Sequence, residues 1–150
     1  MKLNQLFSRK FASKIKLHMK DLLIEASENS PVFSFQSNGI LHISGRVLPE
    51  PDALFWGIAN EWLVNYIESK PARIILRLQF DCVNTSSSME ILKLLYLLGN
   101  IKNKEISLAV YWFYPINDVQ LEEMGKDFQE LLPFKFIFEA IEIEESVFIN

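Results

Sequence analysis

Apolar and polar residues change period several times along this chain, and each change marks an element. Leu22 to Ala26 and Val32 to Gln36 alternate as short strands do. Asn38-Gly39 followed by Ile40, Leu41, His42, Ile43 and Ser44 is a hairpin signature, because Asn-Gly supplies the positive φ angles of a tight two-residue turn. From Pro51 to Lys70 the period becomes helical, with Phe55, Ile58, Ala59, Trp62, Leu63 and Tyr66 on one face. Pro51 suits a first helical turn, Glu50 and Asp52 complement the positive end of the dipole, and Pro71 ends the helix. Arg73 to Asp81 reads as a strand and Ser88 to Lys102 as a second helix whose core stripe is Ile91, Leu94, Leu95 and Leu98. Ile106 to Tyr114 is an apolar strand expected near the sheet centre. Asp118 to Leu132 is a third helix with Leu121, Met124, Phe128 and Leu131 inward, and Lys135 to Ile143 is the last strand. Helices between strands behind an opening hairpin predict an α/β fold: a single-domain sandwich with a mixed β-sheet and three main helices.

Length and composition fit that expectation, since 150 residues with 49% hydrophobic and 23% charged residues make one ordinary globular domain with a real core. No composition break divides residues 19–150, which are expected to form one domain behind a basic N-terminal extension, residues 1–18. The chain's net charge is −4, but the extension carries +5 with no acid, which leaves the remainder at −9. An acidic body excludes nucleic acid as its ligand, because phosphate binding needs clustered Lys and Arg. The extension places Leu3, Leu6, Phe7, Phe11 and Ile15 in a short stripe with lysines around it. This suits either a membrane-surface or partner-docking helix or a frayed tail with Met19 as the native start. No run approaches the length of a transmembrane span, and basic residues interrupt the apolar stretch a signal peptide needs. The single cysteine, Cys82, cannot form an internal disulfide, and two histidines without a cysteine cluster make no zinc set. A cytoplasmic protein without metal or cofactor is the default expectation. Cys82 at a strand end is expected to be a small core residue, and His42 to face solvent or a hydrogen-bond partner without chemistry.

The chemistry-bearing stretch is Asp81-Cys82-Val83-Asn84-Thr85-Ser86-Ser87-Ser88-Met89-Glu90, which joins a strand to the second helix. Ser87 and Glu90 fit a capping box, which accounts for two residues and leaves Asn84, Thr85 and Ser86 beyond what one cap needs. A hydroxyl held at a helix N-terminus is also a natural phosphoacceptor, because the dipole stabilises the added anion.

The run Asn84-Thr85-Ser86-Ser87-Ser88 after an apolar strand resembles the signature of the SiaC family of regulatory phosphoproteins. Gly39-x-Leu41-x-Ile43-x-Gly45-Arg46 leading into Pro49-Glu50 resembles that family's opening hairpin, and Trp62 with Tyr66 its first helix. Trp112, Tyr114, Gly125, Phe128 and Pro133-Phe134 resemble its C-terminal third, so the likeness runs from about Leu22 to Ile143. Two positions depart from it: Met89 stands where a lysine is common, and Pro51 where an asparagine usually follows Pro-Glu.

The resemblance implies a fold like the anti-sigma-factor antagonists (STAS-like) and a non-enzymatic role as a phosphorylation-controlled partner switch. By that likeness Thr85 is the phosphoacceptor, ahead of Ser86 and Ser87. Its state is set by a protein kinase and a PP2C-type phosphatase, and the unphosphorylated form binds and activates a diguanylate cyclase, in control of cyclic-di-GMP and biofilm formation. Met89 removes a cation beside the phosphate and leaves the acceptor itself in place. The alternative is a constitutive interaction scaffold of the same fold. An enzyme would need a base near a nucleophile, a phosphate loop or metal-ligand spacing, and the sequence offers none. On the second helix Met89, Lys93 and Tyr96 fall on the flank of the core stripe, where they either form a partner-binding patch beside the loop or widen the core contact.

Overall fold

The computed structural model describes residues 19–50 and 53–142. Six strands form one sheet in chain order: β1 (Leu22–Ile24), β2 (Val32–Phe35), β3 (Ile40–Val47), β4 (Arg73–Val83), β5 (Ser107–Pro115) and β6 (Ile137–Ile141). β1, β2 and β3 pair antiparallel, and β3 to β6 pair parallel, which makes the sheet mixed as the opening hairpin requires. Helices α1 (Leu54–Glu68), α2 (Ser88–Gly99) and α3 (Val119–Glu130) make the parallel crossovers. Each crossover joins neighbouring strands in the same direction of travel, so right-handed connections put all three helices on one face. Strand burial agrees: Phe33, Phe35, Leu41, Ile43, Ile74, Leu76, Leu78 and Phe80 alternate into one core with the inner faces of all three helices. The architecture is a two-layer α/β sandwich.

Several local expectations change in the folded chain. The hairpin is not closed by a two-residue turn: Gln36 N–H donates to the Ile40 carbonyl and Gly39 N–H to the Gln36 carbonyl, both at 3.0 Å, leaving three residues in the loop. Only Gly39 there has positive φ (99°), the pattern of a turn followed by a left-handed residue, and a Cβ on it would lie 2.4 Å from the Arg73 carbonyl oxygen. The first helix starts at Leu54 behind Ala53, with no side-chain cap and no acid in its first turn; Pro51 and Asp52 lie outside the described residues. Its buried face is Trp56, Ala59, Trp62, Leu63 and Tyr66, while Phe55 is half-buried and Ile58 is 39% exposed. At 100° per residue Ile58 stands about 105° from the centre of that stripe, and Trp56, docked edge-on to Phe33 at 4.9 Å between centroids, takes the place expected for it.

β5 is second from the edge, between β4 and β6, and β3 and β4 hold the centre. It is nonetheless well buried through Trp112, which packs on Phe80, Phe128 and Phe136 at 5.8–6.0 Å and donates Nε1–H to the Leu121 carbonyl at 2.9 Å. Gly125 lets α3 lie on that indole, because a Cβ there would sit 2.6 Å from Nε1. α3 turns Leu121 and Phe128 inward and keeps Met124 half-buried, but Leu131, its C-cap, is 58% exposed. Cys82 is exposed because the pairing of β3 and β4 shifts by one residue at Asp81, which breaks the alternation after Phe80 and turns Val83, not Cys82, toward the core. The extension 1–18 and the end of the last expected strand lie outside the described residues.

Candidate functional site

β4 ends at Val83, and the Asn84 N–H donates to the Val47 carbonyl at 2.9 Å, which ties the following loop to the end of β3. Thr85–Ser87 is one turn of 3-10 helix that runs into α2. Asn84, extended at φ −76° and ψ 134°, caps this turn: its Oδ1 accepts from the Ser86 amide at 2.9 Å and from the Ser86 hydroxyl at 2.6 Å. The expected capping box of Ser87 and Glu90 does not form. The 3-10 turn starts one turn earlier, so Ser87 is already helical (φ −98°, ψ −9°) and makes no side-chain cap bond, whereas a capping side chain needs extended backbone. The Glu90 carboxylate instead accepts from Lys93 Nζ at 3.3 Å.

The hydroxyls of the run are thereby sorted. Ser86 is bound to Asn84, Ser88 donates to the Thr85 carbonyl at 2.7 Å, and Ser87 is half-buried. Thr85 is exposed, and its hydroxyl has no hydrogen-bond partner among the described residues. Of the expected acceptors it is the one most open to an incoming enzyme. Behind it α2 is held rigidly, since Ile91, Leu94, Leu95 and Leu98 are all buried, each contributing about 1.5–3 kcal/mol of burial.

Met89 is 51% exposed and Tyr96 40%, so neither widens the core contact. With Lys93 they occupy i, i+4 and i+7 positions on one face of α2 that begins next to Thr85. On the other side of the loop a cleft of about 190 Å³ opens between the chain after β3 and the start of α2, lined by Pro49, Glu50, Trp56, Ser86, Ser87 and Glu90 among others. The cleft was not legible in the sequence, because its walls come from stretches far apart in the chain, which the Val47–Asn84 hydrogen bond joins. Its two carboxylates, with the ammonium of Lys93 tied to Glu90, leave the loop in an acidic setting. No cluster of metal-ligating side chains occurs among the described residues.

The family model for SiaC family regulatory phosphoproteins matches residues 24–141, which takes in the whole of this site. The chain belongs to the SiaC family. Among curated proteins an uncharacterized protein of Pseudomonas aeruginosa is 25% identical over 125 residues, 81% of this chain and 98% of that one. Solved structures agree on the fold. Apo-SiaC from Pseudomonas aeruginosa superposes with a TM-score of 0.73 at 24% identity, over 81% of this chain and all of that one. SiaC in the crystal structure of the diguanylate cyclase SiaD in complex with its activator SiaC gives 0.73 at 23% identity, over 81% of this chain and all of that one. The match begins at Ile24, the last residue of β1, and ends at Ile141, the last of β6, so it spans β2 to β6 and the three helices. No helix among the described residues is long and apolar enough to cross a membrane.

Proposed function

We propose that this SiaC-family chain is a non-catalytic partner switch in the cytoplasm, set by phosphorylation of Thr85 and read by an effector that binds the unphosphorylated loop and the adjoining face of α2. The observation that carries the reading is the sorting of hydroxyls: Ser86 and Ser88 are bonded within the turn, and Thr85 alone of the run is both exposed and unbonded among the described residues. Membership in a family of regulatory phosphoproteins supports it. A diguanylate cyclase is the effector class we assign, by analogy with the SiaC that activates SiaD. A protein kinase and a PP2C-type phosphatase would set the state of Thr85.

The mechanism follows from charge and exposure. Phosphate adds about −1.5 to −2 charges at the N-terminal end of α2, where the helix dipole and water tolerate it, so the fold needs no rearrangement. An effector packed on Thr85, Met89 and Tyr96 would have to desolvate that dianion. Release is the outcome unless the effector brings its own cations. A coupling of about 1–3 kcal/mol changes affinity about 5- to 150-fold, enough for a switch. The test is a pull-down from the native cell with wild type, Thr85→Ala and Thr85→Asp. Retention of a diguanylate cyclase by wild type and Thr85→Ala with loss by Thr85→Asp supports the switch, and equal capture by all three describes a constitutive scaffold instead.

A further inference from the structure

The outward side of α1 carries a pattern that the phosphoswitch does not use. Leu54, Ile58 and Trp62 follow at every fourth position and so line up along the helix, on the flank turned to β1. Trp62 is the buried end of this row, while Ile58 is 39% and Leu54 59% exposed. Gly57 stands on the solvent side of Ile58, and a Cβ built on it would have nothing within 4 Å. Glycine inside a helix is disfavoured against alanine, and no neighbour in the fold requires it here; it leaves room for another segment to approach the helix backbone. The same outward side bears Glu61 and Glu68, and α1 contains no lysine or arginine.

Where the chain enters the fold, and its charge, select what covers this row. Met19 packs against the core on the helix side of the sheet, and the Lys20 carbonyl accepts the Trp62 indole N–H at 2.9 Å. Residues 1–18 therefore join the fold at the end of the row, in the helix layer and not on the open face of the sheet. They carry +5 with no acid, opposite in sign to α1 and to the −9 of the remainder. Leu3, Phe7, Phe11 and Ile15 also recur at every fourth position, the spacing that lets the ridges of two helices interlock. In helical form that row is about 18 Å long, enough to span the roughly 12 Å from Leu54 to Trp62. A tether this short holds the segment at an effective concentration in the millimolar range, so a weak contact suffices. We infer that residues 1–18 dock on the outward side of α1 of their own chain, their apolar row lying on Gly57 and Ile58 and their basic residues beside Glu61. The contact is one exposed row with surface charges, so it covers α1 without carrying the stability of the fold. It leaves α2 uncovered, because α2 lies on the flank of α1 away from β1.

A nitroxide on the full chain at position 13, attached through Ser13→Cys with the exposed Cys82 removed by Cys82→Ser, tests it through loss of amide NMR signal. The expected result is signal loss centred on residues 54–61 that Ile58→Glu abolishes, Glu61→Lys weakens, and a rise from about 0.05 to about 0.5 M salt reduces. Should Ile58→Glu unfold the chain, Glu61→Lys decides alone, at an exposed position. The tether by itself brings the label near α1, so signal loss that neither substitution nor salt changes overturns the inference. So does the absence of loss on α1, or loss confined to another face. Loss that appears on isotope-labelled chains only when they are mixed with nitroxide-bearing ones would place the segment on a second copy and overturns it too.

Discussion

Asn84 holds Ser86 twice, through the amide at 2.9 Å and the hydroxyl at 2.6 Å, and leaves Thr85 between them with an unbonded hydroxyl in solvent. One side chain thus both starts the turn and selects which hydroxyl stays available. Asn84→Ala removes the cap, and we expect a loss of about 1 kcal/mol, seen as a melting temperature about 3–5 °C lower. Phosphorylation in the same variant should spread to Ser86, whose hydroxyl is released; mass spectrometry of the treated chain checks both points.

Met89→Ala and Tyr96→Ala are expected to weaken effector binding while changing stability by no more than about 0.5 kcal/mol, because both side chains are exposed. Calorimetric titration with the effector, beside a thermal melt of each variant, separates the two effects. Lost stability with retained binding would return both residues to a structural role.

His42 stands on the open face of the sheet in register with Arg77, and burial first, then the Arg77 charge, hold its imidazole below the ordinary histidine pKa of 6.5. A group depressed in the fold protonates first in the unfolded chain, so its contribution is intact above about pH 6.5 and is lost as pH falls toward the folded pKa. Denaturant midpoints measured down through that window should fall for wild type, and fall less for His42→Gln.

The Trp62 indole N–H donates to the Lys20 carbonyl at 2.9 Å, and the Ser37 amide donates to the Asp21 carboxylate at 2.7 Å. The folded unit therefore reaches back to Lys20. Deleting residues 1–18 is expected to leave the melting temperature within a few degrees, and deleting residues 1–21 to lower it clearly, since both anchors go. Equal losses in the two deletions would assign the extension a structural part.

The sequence showed most clearly what rests on local periodicity. The four-residue stripe of α2 is buried as its spacing required, and the alternation of β4 points Ile74, Leu76, Leu78 and Phe80 into the core. Which hydrophobic residue at the edge of a stripe wins burial depends on the partner across it: Trp56 finds Phe33, a strand neighbour no spacing reveals, and Ile58 is left outside. The site was found through its surplus of hydroxyls, but the roles within it were not. Asn84, which the expected capping box left over, is the cap, and Ser87, expected as the cap, is already helical, because the start of a 3-10 turn depends on where β4 lets go of β3. Cys82 was misplaced for a related reason: a one-residue register shift at Asp81, set by the pairing with β3, turns it outward and Val83 inward.

Phosphopeptide mapping of the full chain purified from its native cell, and of the same chain after treatment with a PP2C-type phosphatase, tests the central assignment most directly. Phosphate on Thr85 that the phosphatase removes is the result predicted here. Phosphate found only outside residues 84–88 would contradict it.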